Sequence, residues 1–159
     1  FDPRAARAAA QKGQTPYTPN TSLLLGLAAS LDLIEAEGIA QVFARHRRLA
    51  RAVRAAMAAV GLRLFADERW ASDTVTAVCA PAGVDSTVLV KTVWERHRVL
   101  ISGGQGELKG RIFRIGHMGM VDLPMILRTL EAVADGLMAL GYDLDRQAML
   151  EAAEETARA

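Results

Sequence analysis

The segment GRIFRIGHMGMVD, residues 110–122, sets Arg114 among Ile112, Phe113 and Ile115, with Gly116 and Gly119 close behind. A guanidinium taken out of water in such surroundings is expensive unless an anion meets it. Two readings are open: a carboxylate elsewhere in the fold pairs with Arg114, or the anion arrives with a ligand, for which a planar fork of N–H donors is well suited.

Two other stretches carry residue types that could do chemistry. TPYTPNTS, residues 15–22, gathers Thr15, Tyr17 and Thr18 just ahead of an apolar helix. Free N–H groups and the positive end of the helix dipole suit such a place to an anion, phosphate above all, although an ordinary capped helix after a proline-rich turn explains it too. SGGQGELKG, residues 102–110, places Gly103 and Gly104 where backbone can approach a ligand closely. It matches neither a P-loop nor a dinucleotide fingerprint, and a plain strand-to-strand turn is the alternative. His46, His97 and His117 lack metal-ligand spacing, and no cysteine or carboxylate cluster joins them, so no metal site is expected. His46 and His97, among arginines, read as surface residues, and His117 as lining the space around Arg114 without doing chemistry. No Ser–His–Asp arrangement is visible.

The elements that must position these residues follow from periodicity and punctuation. Residues 4–12 favour helix, and Gly13 stops it. Pro16 and Pro19 then enforce a stiff, extended segment. Thr21 or Ser22 caps a helix, SLLLGLAASLDLIEAE, closed by Gly38 and apolar on nearly every side in its first half, as for burial or a subunit interface. A second helix is expected from Ile39 to Val60, with Arg45, Arg47, Arg48, Arg51 and Arg54 largely on its solvated faces. LRLFA and TVTAVCA read as strands, and Asp85 caps a helix reaching His97. VLIS and RIFRIG read as further strands, and Asp122 caps a final amphipathic helix ending at Gly141. The remaining residues, 143–159, read as a weakly helical, peripheral tail. The pattern is that of a two-layer α/β sandwich with a small, mainly antiparallel sheet.

Nineteen basic residues against eighteen acidic ones leave a net charge of +1 in 159 residues, so nothing in the overall balance calls for nucleic acid or an anionic membrane. The single cysteine, Cys79, reads as a small hydrophobe in a strand, and a reducing, cytoplasmic home is the default. No apolar run approaches the roughly 20 residues of a spanning helix. The chain starts on an aromatic, without Met or an apolar leader, and is expected to be a piece of something longer.

Together KGQTPYTPNTSLLLGL, HRRLARAVRAAMAAVGLRLF and ISGGQGELKGRIFRIGHMG resemble the C-terminal part of a class V pyridoxal-phosphate aminotransferase of the alanine–glyoxylate or serine–pyruvate type. The resemblance runs from Phe1 to about Leu140. It implies the small C-terminal domain of a fold type I enzyme, preceded by a helical arm of the large domain: residues 1–37 as arm and interface helix, 38–142 as small domain, 143–159 as tail. It implies a homodimer with pyridoxal 5'-phosphate at the subunit interface. Thr18, with Thr15 and Tyr17 beside it, would reach the cofactor phosphate; Arg114 would clamp the carboxylate of a small amino-acid or oxo-acid substrate; Gly103 and Gly104 would border the pocket.

One departure stands against these agreements. The family's Schiff-base lysine lies upstream of the TPYTP segment, and none of Lys12, Lys91 and Lys109 matches it. No catalytic residue is therefore expected here, and activity is expected only when an N-terminal part completes the enzyme. The rival readings are another class V branch, phosphoserine aminotransferase or cysteine desulfurase, and a free-standing small-anion-binding α/β module.

Overall fold

The computed structural model describes residues 2–158. Its elements run α1 (Pro3–Ala10), α2 (Thr21–Glu37), α3 (Ile39–Ala59), β1 (Val75–Cys79), α4 (Ser86–His97), β2 (Ser102–Gly103), β3 (Ile112–Gly116), α5 (Leu123–Ala139) and α6 (Arg146–Arg158). Two compact units result, one ending at Val42 and the other starting at Phe43.

In the first unit neither α1 nor α2 contains a buried residue. The cap of α2 is Asn20 rather than Thr21 or Ser22: its Oδ1 accepts the Leu23 N–H at 3.0 Å, and both expected caps lie within the helix. The amide reaches the free N–H three residues on, as a good N-cap does. Gly38, at φ +87°, ends the helix. Of the two expectations for α2, burial or a subunit interface, burial is not found within this chain, where Leu23 and Leu25 are 70% and 72% exposed.

The second unit is built on a three-stranded sheet of order β1–β3–β2, with β3 antiparallel to both neighbours. β1 and β2 therefore run the same way, and α4 carries the chain across β3 between them. Alternation along β3 sends Phe113 and Ile115 to one face, where they are buried with Thr76 and Val78 of β1. That face meets the helices in a core that includes Leu49, Val53 and Met57 of α3, Leu89 and Val93 of α4, and Leu130 and Leu137 of α5. Each such side chain contributes about 1.5–3 kcal/mol by leaving water. On the opposite face Val75, Ser102 and Gly116 are exposed, Ala77, Cys79 and Arg114 are half-buried, and Ile112 is buried.

Two expected strands are shorter than the sequence suggests. In LRLFA only Leu64 pairs, as an isolated bridge to Val78, before the chain turns away through a short 3-10 turn capped by Asp67. In VLIS pairing begins at Ser102, because α4 ends on Arg98 in the left-handed region at φ 55° and the chain needs several residues to return to the sheet. The expected peripheral tail is instead α6, whose Met149, Ala153 and Ala157 form a buried stripe at four-residue spacing. The arginines of α3 are not simply solvated either. Arg45 donates to the carbonyls of Gly119 and Val121 at 2.7 and 3.0 Å, and Arg47 and Arg54 each lie 3.4 Å from the Asp73 carboxylate. Among the described residues no helix is long and apolar enough to cross a membrane.

Candidate functional site

Arg114 projects from the sheet face away from Phe113 and Ile115, between Ile112, which is buried, and Gly116, which is exposed. The register places Ala77 of β1 directly on one side of it and Ser102 of β2 on the other. Both neighbours are small, and a Cβ built on Gly116 would meet nothing within 4 Å, so space remains around the guanidinium.

The Arg114 Nε–H donates to the Gly103 carbonyl at 3.1 Å, which draws the side chain over β2. That bond engages Nε and leaves the two terminal nitrogens without a described partner. No described carboxylate lies within ion-pair distance of Arg114, so of the two sequence readings the internal salt bridge finds no partner. The premise that the arginine is buried needs correction, however. Arg114 is half-buried: Phe113 and Ile115 alternate into the helix-side core, while on Arg114's own face Ile112 is buried and Gly116 exposed. Water therefore meets part of the charge in the chain as it stands.

Gly103 and Gly104 have separate uses. Gly103 presents its carbonyl to Arg114, and its position leaves ordinary room for a side chain. At Gly104 a Cβ would collide with the Leu108 carbonyl, because the 3-10 turn Gly106–Leu108 folds back beneath it. The close approach expected between this loop and a ligand is, at Gly104, an approach to the loop's own backbone. The Gly104 N–H meanwhile donates to the Ile112 carbonyl at 2.9 Å, tying the loop to β3.

Thr15, Tyr17 and Thr18 lie together and exposed in the other unit, on the bend before α2. The Thr15 hydroxyl donates to the Tyr17 carbonyl at 2.6 Å. A phosphate is an acceptor and needs donors, so Thr15 would first have to give up this bond. The Thr18 hydroxyl has no such partner among the described residues. Lys91 is engaged with Glu95 one turn along α4, 3.7 Å away.

His117 departs from the pocket role expected of it, whereas His46 and His97 are partly exposed. His117 follows Gly116 and so points to the helix face, where it is fully buried. Its Nδ1 lies 3.0 Å from the Asp73 carbonyl and its Nε2 2.9 Å from the Thr76 hydroxyl. A carbonyl can only accept, so Nδ1 carries the proton and Nε2 accepts from Thr76. Burial pushes its pKa below 6.5, against an opposing pull from the Asp73 carbonyl. His46 accepts the Gly119 N–H at 3.1 Å, and His97 sits 3.4 Å from Asp135, which also pairs with Arg146 of α6 at 2.9 Å. Cys79 lies within β1 as expected, across from Ile112.

Sequence reasoning passed over Ser102. Its hydroxyl is exposed beside Arg114 and bonds to no described group. Only the strand register reveals that adjacency, and register between distant segments is not written in local pattern.

No family model matches the chain. Relatives are nevertheless evident. A serine–glyoxylate aminotransferase from Hyphomicrobium methylovorum is 48% identical over 134 residues, covering 84% of this chain and 33% of that protein. A protein from Synechococcus named as the small subunit of a soluble hydrogenase is 43% identical over 84% of this chain and 34% of its own length. Among solved structures, pyridoxamine–pyruvate aminotransferase from Mesorhizobium loti superposes with a TM-score of 0.84 at 38% identity, across 89% of this chain and 36% of that one. The chain thus spans about a third of the length of the relatives it matches. Its homologues include serine–glyoxylate and aspartate–glyoxylate aminotransferases, its neighbours in structure are class V aminotransferases, and it is alike to them in sequence and fold along about a third of such a protein.

Proposed function

We propose that this chain is the substrate-carboxylate portion of a pyridoxal-phosphate-dependent aminotransferase that moves an amino group from alanine or serine to glyoxylate or pyruvate. The observation that carries the reading is Arg114: oriented by the Gly103 carbonyl, partly exposed on the sheet face away from Phe113 and Ile115, with no described carboxylate paired to it. Two parallel N–H donors from such a fork match the two oxygens of a carboxylate. The small flanking residues Ala77 and Ser102 and the space at Gly116 leave a 2-amino or 2-oxo acid room to lie beside it.

The remaining roles extend the same proposal. Residues 1–37 are an arm of a larger cofactor-binding domain, and the bare apolar sides of α2 pack against that domain or a second subunit of a homodimer. Thr18 donates to the cofactor phosphate, with the bend holding it at the start of α2. Bound pyridoxal phosphate would supply the electron sink for amino-group transfer. Lys12, Lys91 and Lys109 do not stand where its covalent anchor is expected, so that lysine comes from another part of the full-length protein. Within this chain the work is binding and orientation. Arg114 fixes the carboxylate, the Gly103 bond keeps the guanidinium from swinging, and the β2–β3 pairing holds both.

The test is Arg114→Lys in the full-length gene product. Lysine keeps the charge but loses the planar fork. kcat/KM for the amino donor should fall by roughly tenfold or more, about 1.4 kcal/mol of transition-state stabilisation, with cofactor affinity unchanged. Arg111→Lys, at an exposed position ahead of β3, is the control. An Arg114→Lys enzyme within about threefold of wild type would return Arg114 to a structural role.

A further inference from the structure

The geometry points to Ser102 as a second anion-binding residue at the Arg114 site, its hydroxyl donating to the same carboxylate that the guanidinium holds. This inference rests on the carboxylate reading of Arg114 and adds a specificity-determining residue to it.

Ser102 and Arg114 are direct partners in the β2–β3 register, so their side chains rise from the same face of the sheet. Directly opposed Cβ atoms stand about 4.5–5.5 Å apart. An extended arginine would nonetheless carry its guanidinium well beyond a serine hydroxyl. Here the Nε–H bond to the Gly103 carbonyl, at 3.1 Å, bends the side chain across β2 and brings the guanidinium over the Ser102–Gly103 backbone. On the other flank the partner is Ala77, which has no polar side-chain atom. The Ser102 hydroxyl is therefore the uncharged donor that the register sets beside Arg114. It is exposed and spent on no described group.

The chemistry fits a carboxylate. A fork of two N–H groups takes one lone pair on each oxygen and leaves others free. A neighbouring hydroxyl can rotate to donate to one of them without adding charge. β2 is an edge strand only two residues long, so the hydroxyl is not fenced in by a further strand.

The experiment uses the full-length protein and reads the dissociation constants of pyruvate and glyoxylate by calorimetry, with KM for the amino donor alongside. Ser102→Ala should raise both dissociation constants roughly tenfold, the usual scale for a hydrogen bond to a charged group. Ser102→Thr, which keeps the hydroxyl, should return them to within about threefold of wild type, and cofactor affinity should stay constant throughout. If Ser102→Ala stays within twofold while Arg114→Lys weakens both acids, Ser102 plays no part and the clamp stands alone. If neither substitution matters, the carboxylate reading itself falls. Failure of threonine to rescue an alanine defect would mark the effect as a strand distortion and overturn the inference.

Discussion

Arg114 and His117 stand three residues apart, yet the pleat sends them to opposite worlds. Arg114 faces the partly exposed side with no described partner for its terminal nitrogens; His117 is sealed in the core with both ring nitrogens bonded. The sequence I-F-R-I displays the alternation but cannot say which face the helices cover, so the arginine could be picked out while its partial exposure could not. Placing the histidine beside Arg114 overlooks the same alternation, which carries residue 117 to the face of Phe113 and Ile115. Its burial has a pH consequence. The folded pKa lies below the ordinary 6.5, so the unfolded chain takes up a proton first as pH falls. His117 therefore contributes stability fully above about pH 6.5, and that contribution declines through the window beneath it, down to the folded pKa. Thermal melts between pH 7.5 and 5.5 should show the midpoint falling with pH. The fall should be shallower in His117→Gln, which can still donate to Asp73 and accept from Thr76 but does not titrate. Equal slopes in the two proteins would remove His117 as the source.

At the scale of elements, the helices that were read well are those with large apolar residues at helical spacing. α5 has Ile126, Leu130, Val133 and Leu137 on its buried side, capped by Asp122. α6 was underrated because its buried stripe is one methionine and two alanines, which packs closely but gives a faint hydrophobic pattern. LRLFA shows the reverse: strand-like composition, yet its pairing with β1 stops at the Leu64–Val78 bridge and the two backbone bonds that flank it, because the chain turns away at Asp67. Close packing also governs the contact between α4 and α5. A Cβ at Gly136 would lie 2.8 Å from Val93 Cγ2 and 2.9 Å from Leu89 Cδ1, both from fully buried side chains. Glycine is a poor helix former, costing about 1 kcal/mol against alanine, so its presence in mid-helix is explained by this approach. Gly136→Val should therefore destabilise the fold by about 1–3 kcal/mol, measured by urea unfolding. A neutral result would mean that α4 and α5 can part without loss.

For the whole molecule, the decisive contrast is between the two units. Among the described residues every buried hydrophobic one lies at Val42 or beyond, whereas α2 exposes Leu23, Leu24, Leu25, Leu27, Leu31 and Leu33 by half or more each. The all-round apolar character of α2 was plain in the sequence; what covers it could not be, because a partner surface leaves no mark on the segment it will cover. So large a contiguous apolar surface is unusual on a monomer and drives association. The 159-residue chain should accordingly self-associate, while a version of residues 38–159 should not. That version keeps Gly38, whose carbonyl accepts the Val42 N–H at 3.0 Å, and so retains the start of α3. It also keeps the entire core cluster and the β1–β3–β2 sheet that carries Arg114. Light scattering should report a monomer for 38–159 and larger species for the whole chain, and both should unfold cooperatively at similar denaturant concentrations. If the shorter version lost its cooperative transition, the arm would be part of what folds the sheet. If it associated as strongly as the full chain, the sticky surface would lie elsewhere, with the partly exposed face of the sheet the next place to test.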